Sequence, residues 1–218
     1  MDDFPKKLTQ ILKIKGDWEE VVNDCRATVG KGPLGKEPSA EFKRKILMAE
    51  HSPIRDLIVK WIWPNMPHWV TVHWVRHKWE CFVRTQREDR TGIPRDKLSQ
   101  DEPQDFTGEA NPQHTIDSWR KRLCFQASSK TRRYAEDFKV VLHEIEPEWS
   151  DVLVPNCVYR GGCPEMTNCP LAKNGGASYW ELLMRATNGE ILTSDLQKRY
   201  DLYNKFFWKT RRGEHDQD

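Results

Sequence analysis

The chain has 218 residues, a net charge of +2 and 31% charged residues. Its length is sufficient for one sizeable hydrophobic core. Its nearly balanced charge argues against a surface that coats nucleic acid in general. No apolar stretch is long enough to cross a bilayer, and the N-terminal residues lack the apolar core of a signal peptide. We therefore expect a cytoplasmic protein without a membrane partner, whose six cysteines are reduced or metal-bound rather than paired.

The first part of the chain predicts a strand, two helices and a second strand. Phe4–Ile14 is typical of a short strand or an extended segment. Asp17 and Ser39 are each followed by apolar residues at helical spacing, so each is expected to cap a helix. The second helix ends at the turn His51-Ser52-Pro53, and the β-branched and aromatic segment Leu57–Trp63 then predicts a strand.

The remaining segments are less regular. Trp69–Val75 predicts either another strand or the start of a helix. Arg90–Asn111 is rich in Pro, Asp and Gly, which predicts a long surface loop that closes over a ligand as a lid. Ile116–His143 predicts the longest helix, broken near Ser128-Ser129. An irregular segment with cysteines over Ser150–Gly176 precedes two terminal helices, which are predicted over Tyr179–Arg185 and Ser194–Trp208, with Ser194 as a cap.

These elements predict an α/β (α+β) fold in which helices flank a central, mostly antiparallel sheet. We expect a single α/β domain over residues 1–176, followed by a C-terminal helical extension over residues 177–218 that ends in a disordered tail.

Six basic or titratable side chains lie within fifteen residues, directly after the second apolar segment: Arg76, His77, Lys78, Arg84, Arg87 and Arg90. Cations at this density repel one another unless phosphate or carboxylate groups neutralise them. The cluster is therefore either a solvated basic face or a phosphate site. Its position after an aromatic segment, rather than on an exposed helix, favours the phosphate site.

Several segments resemble the flavin-dependent thymidylate synthases, in that family's order. Glu-His-Ser-Pro-Ile around His51 and HWVRHK at His73–Lys78 are similar to the family's hallmark region, in which Gln-Trp-x-Arg-His-Arg is usual. His73 stands where Gln is usual, and Lys78 replaces the second Arg. Thr85-Gln86-Arg87 is similar to the Ser-x-Arg element, one residue closer than in the family. Downstream similarities are Asn111, Arg122-Leu123-Cys124 and the Cys-Pro-Glu tail in Cys157–Cys169.

The resemblance implies a thymidylate synthase-complementing-protein-like fold, bound FAD, and methylation of dUMP to dTMP with methylenetetrahydrofolate and NADPH as co-substrates. A related C5 modification of another pyrimidine deoxynucleotide monophosphate stays open, because Val83 and Arg84 replace the family's Asn-Glu. The family forms homotetramers with sites built from several chains, and the same is expected here.

The resemblance also implies roles for individual residues. It assigns flavin binding to six residues: His51, His73, Arg76, His77, Lys78 and Asn111. It assigns the nucleotide to Thr85, Gln86, Arg87 and Arg122, of which Arg122 is the expected catalytic residue because it would favour negative charge on the pyrimidine ring.

Structural interpretations of the same residues stay open. His77 is also typical of a core histidine, His51 of a helix cap and Arg122 of a solvated charge. Trp61, Trp63, Trp69 and Trp74 are more typical of packing than of flavin stacking.

Cys157, Cys163 and Cys169 follow a C-x5-C-x5-C spacing that is not common for zinc, so they either bind zinc or iron–sulfur, with His143 as a fourth ligand, or pack as thiols. The alternative function is a metal-bearing nucleic-acid-binding module in which the Arg76–Arg90 cluster binds phosphates. In the main interpretation, by contrast, no residue is assigned as a metal ligand and no nucleic-acid partner is expected.

Overall fold

A four-stranded sheet in the order β1-β2-β4-β3 lies at the centre of the structure, a computed structural model that describes residues 7–167, 169 and 177–211. The strands are β1 (Gln10–Lys15), β2 (Ile58–Pro67), β3 (Glu80–Val83) and β4 (Pro103–Ala110). All three neighbouring pairs are antiparallel. The predicted fold class, helices around a mostly antiparallel sheet, is confirmed.

Ten α-helices surround this sheet in the described part of the chain. They are α1 (Trp18–Ala27), α2 (Ala40–Met48), α3 (His68–Trp74), α4 (Glu88–Thr91), α5 (Pro112–Arg122), α6 (Ser129–His143), α7 (Pro147–Asp151), α8 (Asn156–Arg160), α9 (Tyr179–Ala186) and α10 (Leu196–Arg211). Short 3-10 helices cover Ser52–Asp56, Arg95–Lys97 and Glu190–Leu192. No helix of the described residues is long and apolar enough to cross a membrane.

The predicted helix caps are largely confirmed. The Asp17 carboxylate accepts a hydrogen bond from the backbone N–H of Glu20 at 2.8 Å, and the Ser39 hydroxyl accepts one from Phe42 at 3.3 Å. Ser128 caps α6 in the same way, which explains the break between α5 and α6. At α10 the prediction of Ser194 is wrong, because Asp195 accepts the hydrogen bond from the backbone of Lys198 at 3.1 Å.

The segment predicted as a long loop contains the strand β4, so that prediction is wrong over Pro103–Ala110. β4 pairs with β2 on one side and with β3 on the other. Its Pro, Asp and Gly residues are typical of turns. The segment is nevertheless a strand, because its conformation is determined by long-range pairing and not by local propensity. Gly108 is needed here, since a Cβ atom at this position would lie 2.3 Å from the Trp61 ring. Only residues 91–102 are left for the predicted lid, which stays a prediction.

The ambiguous segment Trp69–Val75 is helical, as α3, and it leads directly into the basic cluster. Its Trp74 joins an aromatic cluster formed with Trp61, Trp63, Trp79, Trp119 and Phe138, in which neighbouring ring centroids lie 4.4–6.4 Å apart. Trp61, Trp63 and Trp74 are fully buried, which agrees with their interpretation as packing residues. The indoles form the core directly beneath the end of α3.

The C-terminal helices pack on the preceding residues through a buried arginine. The Arg199 guanidinium on α10 donates hydrogen bonds to the carbonyl oxygens of Val158 at 2.9 Å and of Tyr159 at 2.8 Å. These bonds tie α10 to α8. The domain division at residue 176 stays a prediction. The predicted disordered tail lies outside the described residues, except for Arg211, which ends α10.

Candidate active site

A cavity of about 350 Å³ lies between the end of α3, α5 and α8. We call it the cationic cavity. Five of its lining residues are Arg or Lys and one is a carboxylate, and the full lining is Arg76, His77, Lys78, His114, Asp117, Ser118, Arg120, Lys121, Asn156, Tyr159 and Arg160. The cation excess makes the cavity suited to an anionic ligand.

One face of α5 forms a wall of this cavity. His114, Asp117, Ser118 and Lys121 lie at positions i, i+3, i+4 and i+7, which share one side of a helix. The helix is fixed at its start by Asn111, whose side-chain oxygen accepts a hydrogen bond from the backbone of His114 at 2.9 Å. Asn111 thus holds the wall in place, whether or not it also contacts a ligand.

Only some of the cations in the cavity are neutralised. Arg120 forms ion pairs with Glu50 and, at 3.4 Å, with Asp117, and its guanidinium lies 3.6 Å from the centre of the Tyr159 ring. Among the described residues, Arg76, Lys78 and Lys121 form no ion pair. Arg160 donates a hydrogen bond to the neutral side chain of Asn156 at 3.2 Å.

The protonation of His77, in the wall of the cavity, is set by its burial and by its cationic neighbours. Burial, followed by the charges of Arg122 and Lys121, lowers the pKa of His77 to about 4. The Arg122 guanidinium donates a hydrogen bond from Nε to His77 Nε2 at 2.8 Å. His77 is therefore neutral at pH 7 and presents a lone pair at Nε2, with its proton on Nδ1.

Arg122, the expected catalytic residue, faces inward. Besides the bond to His77, it donates a hydrogen bond from Nη2 to the backbone carbonyl of His73, and its guanidinium lies 5.8 Å from the Trp74 ring centre. Burial, followed by the charge of Arg76, lowers the pKa of Arg122. It braces the end of α3 and does not line the cationic cavity.

His73 also lies outside the cationic cavity. Its Nδ1 atom is 2.7 Å from the Thr131 hydroxyl on α6, and its ring meets Trp69 edge-on with centroids 5.6 Å apart. Burial, followed by the charges of Arg122 and Arg76, lowers the pKa of His73. His51 is exposed at the start of the Ser52–Asp56 helix and makes no side-chain capping bond.

A second cavity of about 380 Å³ adjoins the first and shares His77, Lys78 and His114 with it. Asn111 and Trp79 also line it. The Trp79 indole N–H is buried and has no hydrogen-bond partner among the described residues. Of the residues predicted for the flavin, the structure thus brings together Arg76, His77, Lys78 and Asn111.

Three of the four residues predicted for the nucleotide, Thr85, Gln86 and Arg87, lie past the other end of β3. Thr85 and Gln86 line a separate cavity of about 330 Å³, which also includes Arg84, Arg90 and Gln104. Arg87 does not line it, because its guanidinium pairs with the two carboxylate oxygens of Asp89 at 3.0 and 2.7 Å. The Thr85 hydroxyl accepts a hydrogen bond from the Arg87 backbone at 3.2 Å.

Several cavity residues were not predicted from the sequence: His114, Arg120, Lys121, Asn156, Tyr159 and Arg160. A signal for two of them was present. His114, Asp117, Ser118 and Lys121 recur at helical spacing, which predicts one polar face on a helix whose other side carries core residues. Arg160 could not have been found in this way, because only tertiary packing brings α8 beside α5.

The cysteine tail lies close to Cys124. Burial, followed by the neighbouring thiols of Cys124 and Cys163, raises the pKa of Cys157 to about 12. The Cys169 sulfur accepts a hydrogen bond from the backbone of Tyr179 at 3.0 Å. In the part of the chain that the structure describes, no group of three or more His, Cys, Asp and Glu side chains is arranged to hold a metal ion.

His143, the expected fourth ligand, lies beside a different partner. Its Nδ1 atom is 3.6 Å from a carboxylate oxygen of Asp151, and its ring packs against Trp208 with centroids 4.6 Å apart.

Comparison with known proteins gives a fold but no family. No protein-family model matches the chain, and no curated protein matches it in sequence. Among solved structures, the chain is similar to a UMP/dUMP methylase, PolB from Streptomyces cacaoi, bound with 5-Br dUMP, at a TM-score of 0.54 and 11% identity over 66% of this chain and 93% of that chain. The same protein bound with 5-Br UMP gives a TM-score of 0.51 over 92% of its length. At this identity the likeness shows a shared fold.

Proposed function

We propose that the protein is an enzyme that methylates C5 of the pyrimidine ring in a nucleoside monophosphate, with dUMP as substrate and dTMP as product. Flavin, methylenetetrahydrofolate and NADPH are the proposed cofactor and co-substrates, and a cytoplasmic homotetramer is the proposed form. The observation that carries the proposal is the cationic cavity, where Arg76, Lys78 and Lys121 have no carboxylate partner among the described residues. The shared fold with a UMP/dUMP methylase supports the same reaction class.

The positive charge of the cationic cavity suits the negative charge of a flavin nucleotide. FAD carries a pyrophosphate, and three cations without described ion-pair partners, on two different elements, suit two adjacent phosphate groups. Arg76 and Lys78 would bind from the end of α3, and Lys121 from α5. When bound, a reduced flavin would supply the hydride and relay the methylene group of methylenetetrahydrofolate to C5, chemistry that amino-acid side chains do not provide.

The side chains around His77 supply orientation and charge. Neutral His77 adds no charge to the wall, and its Nε2 atom fixes the Arg122 guanidinium. Arg122 in turn keeps a positive charge behind the wall of the cationic cavity. This charge would stabilise the negative charge that develops on a pyrimidine ring bound nearby during the reaction. The Trp79 ring lines the adjoining cavity with its aromatic surface, while its indole N–H is buried.

The visible spectrum of the purified protein tests the cofactor, and tritium release tests the reaction. We expect flavin absorbance after reconstitution with FAD, and tritium release from C5-tritiated dUMP in the presence of methylenetetrahydrofolate and NADPH. The double variant Arg76→Ala, His77→Ala should lose flavin, while Lys13→Ala, an exposed residue on the opposite edge strand β1, should keep it. A colourless protein that binds single-stranded oligonucleotides would contradict the proposal and favour a binding module.

A further inference from the structure

Glu50 has a backbone conformation that is normally adopted by glycine. Its φ angle is 50°, and it lies in the turn after α2, where the backbone N–H of His51 donates a hydrogen bond to the carbonyl oxygen of Ile46 at 3.3 Å. This turn is the Schellman motif, in which glycine is the usual residue and asparagine is sometimes found. A glutamate with positive φ is strained, and such strain is concentrated at functional sites.

The same turn follows α9, where it contains an ordinary residue. Asn188 has a φ angle of 48°, and the backbone N–H of Gly189 donates a hydrogen bond to the Met184 carbonyl at 2.8 Å. Asparagine enters this conformation at little cost. Asn65 is the third residue with positive φ, apart from glycines, in the part of the chain that the structure describes. Glu50 is therefore the exception, and the backbone turn does not account for the choice of glutamate.

The Glu50 carboxylate holds two side chains of α5. One oxygen accepts a hydrogen bond from the Gln113 amide at 2.5 Å, and the other pairs with the Arg120 guanidinium. Gln113 and Arg120 lie at positions i and i+7 of α5, which share one face of the helix. The side chains of Glu50 and Arg120 are only 21% and 12% exposed, so solvent screens this ion pair little. One carboxylate thus fixes the rotation of α5 about its axis.

Arg120 extends this contact to α8, the opposite wall of the cationic cavity. Its guanidinium lies 3.6 Å from the centre of the Tyr159 ring, and its second terminal nitrogen lies 3.4 Å from a carboxylate oxygen of Asp117. Because both terminal nitrogens face carboxylates, Arg120 is poorly placed to bind phosphate and instead spaces α5 from α8. The next residue, Lys121, lines the cavity and has no ion-pair partner among the described residues.

We propose that Glu50 is a positioning residue of the cationic cavity, which holds α5 against the end of α2 and against α8 so that Lys121 faces a bound diphosphate. Glu50 does not touch the ligand and acts through Arg120. The diphosphate as part of a flavin dinucleotide rests on the proposed function, whereas the positioning role rests on the contacts of Glu50.

The test compares three variants by calorimetric titration of flavin-free protein with inorganic pyrophosphate and with FAD. Glu50→Gly removes the carboxylate at a position that suits glycine, and both ligands should bind roughly tenfold more weakly. Glu50→Gln keeps the side-chain length and an oxygen that accepts from Arg120, so it should restore most of the affinity. Asn188→Gly makes the same backbone change outside the cavity and should bind as wild type does.

A role of Glu50 through its charge alone predicts the opposite result. Loss of a carboxylate beside the cavity makes the cavity more positive, so Glu50→Gly and Glu50→Gln would then both bind pyrophosphate more tightly. Tighter or unchanged binding in Glu50→Gly therefore overturns the proposal.

Coupling to Lys121 separates positioning from stability. Lys121→Met should weaken pyrophosphate binding in wild type, but much less in the Glu50→Gly background, where α5 no longer holds Lys121 toward the ligand. The ligand-free Tm of Glu50→Gly should stay within about 4 °C of wild type, because relief of backbone strain offsets the lost ion pair. An equal effect of Lys121→Met in both backgrounds would show that Glu50 only stabilises the fold, and would overturn the proposal.

Pyrophosphate makes the test independent of the flavin. Pyrophosphate binding that depends on Glu50, in a protein that binds no FAD, would refute the proposed function and leave the positioning role standing. FAD binding of equal strength in wild type and Glu50→Gly would do the reverse. A wild type that binds neither ligand would overturn both.

Discussion

Arg122 donates a hydrogen bond from Nε to the Nε2 atom of His77, 2.8 Å away, and so joins the last turn of α5 to the residues that follow α3. A cation that donates to an imidazole stabilises its neutral form, because protonation would place two positive charges in contact. The pair connects the cationic cavity to the interior of the protein.

Replacing Arg122 should change the titration of His77. The pKa of His77 is about 4, from burial first and from Arg122 second. Arg122→Met removes the positive charge and the donor, so the pKa of His77 should rise toward its ordinary value of about 6.5. NMR titration of the histidine ring protons measures this. Arg133→Met, an exposed arginine on α6, should leave the titration as it is. An unchanged pKa in Arg122→Met would mean that Arg122 does not control His77, and that burial and Lys121 suffice.

Charge reversal at Lys121 should weaken flavin binding. Lys121 lines the cationic cavity without an ion-pair partner in the described residues. A charge-assisted hydrogen bond to phosphate contributes about 1.5–3 kcal/mol, so Lys121→Glu should bind FAD at least about tenfold more weakly. The defect should shrink as salt screens the charges. Lys13→Glu makes the same charge change on β1 and should have little effect. Equal losses in both variants would indicate a general charge effect rather than a site.

Lys139 should make stability depend on pH. It is fully buried on α6, its ammonium donates a hydrogen bond to the Ser150 carbonyl at 2.6 Å, and burial lowers its pKa to about 7. Between pH 7 and about 10.5 the unfolded chain binds more protons at this residue than the folded one. The free energy of unfolding should therefore rise with pH across that window through this group.

Urea denaturation at pH 7 and pH 9.5 measures this contribution, with Lys139→Met compared with wild type. The wild type should gain more stability over the interval than the variant does. Lys205→Met, an exposed lysine on α10, should retain the wild-type dependence. If Lys139→Met shows the same pH dependence as wild type, Lys139 does not titrate in that range.

Gly108→Ala should destabilise the sheet. An added Cβ atom would lie 2.3–2.6 Å from three atoms of the Trp61 ring, which is fully buried and cannot move freely. Overpacking of this kind costs about 1–3 kcal/mol. The control is Gly32→Ala, where an added Cβ atom meets no atom within 4 Å. Thermal unfolding of both variants checks the prediction, and equal Tm values would show that Trp61 can shift.

Local signals in the sequence predicted much of the fold. Asp17 and Ser39 lie before apolar residues at helical spacing, and each caps a helix, while the break predicted near Ser128 is where α6 begins. β4 was missed because its Pro, Asp and Gly residues are typical of turns, whereas its stability comes from pairing with β2 and β3. Such pairing depends on residues tens of positions away, which local patterns do not contain.

The site was predicted only in part for a related reason. The consecutive residues Arg76, His77 and Lys78 lie together at one cavity, as their sequence position requires. Whether a side chain points to a cavity or to the core depends on neighbouring elements. Arg122 turns toward His77 because α5 packs beside α3, and Arg87 turns toward Asp89 in the next helix.

The aromatic cluster also gives the protein an optical property. Trp61, Trp63, Trp74, Trp79 and Trp119 are close enough to exchange excitation energy, and Trp74 and Trp79 are stacked with centroids 5.8 Å apart. Trp79 also lines the cavity beside the cationic one. An absorbing or electron-accepting ligand next to this single indole should therefore quench the emission of the whole group, so that the protein reports occupancy of the cavity through its own fluorescence.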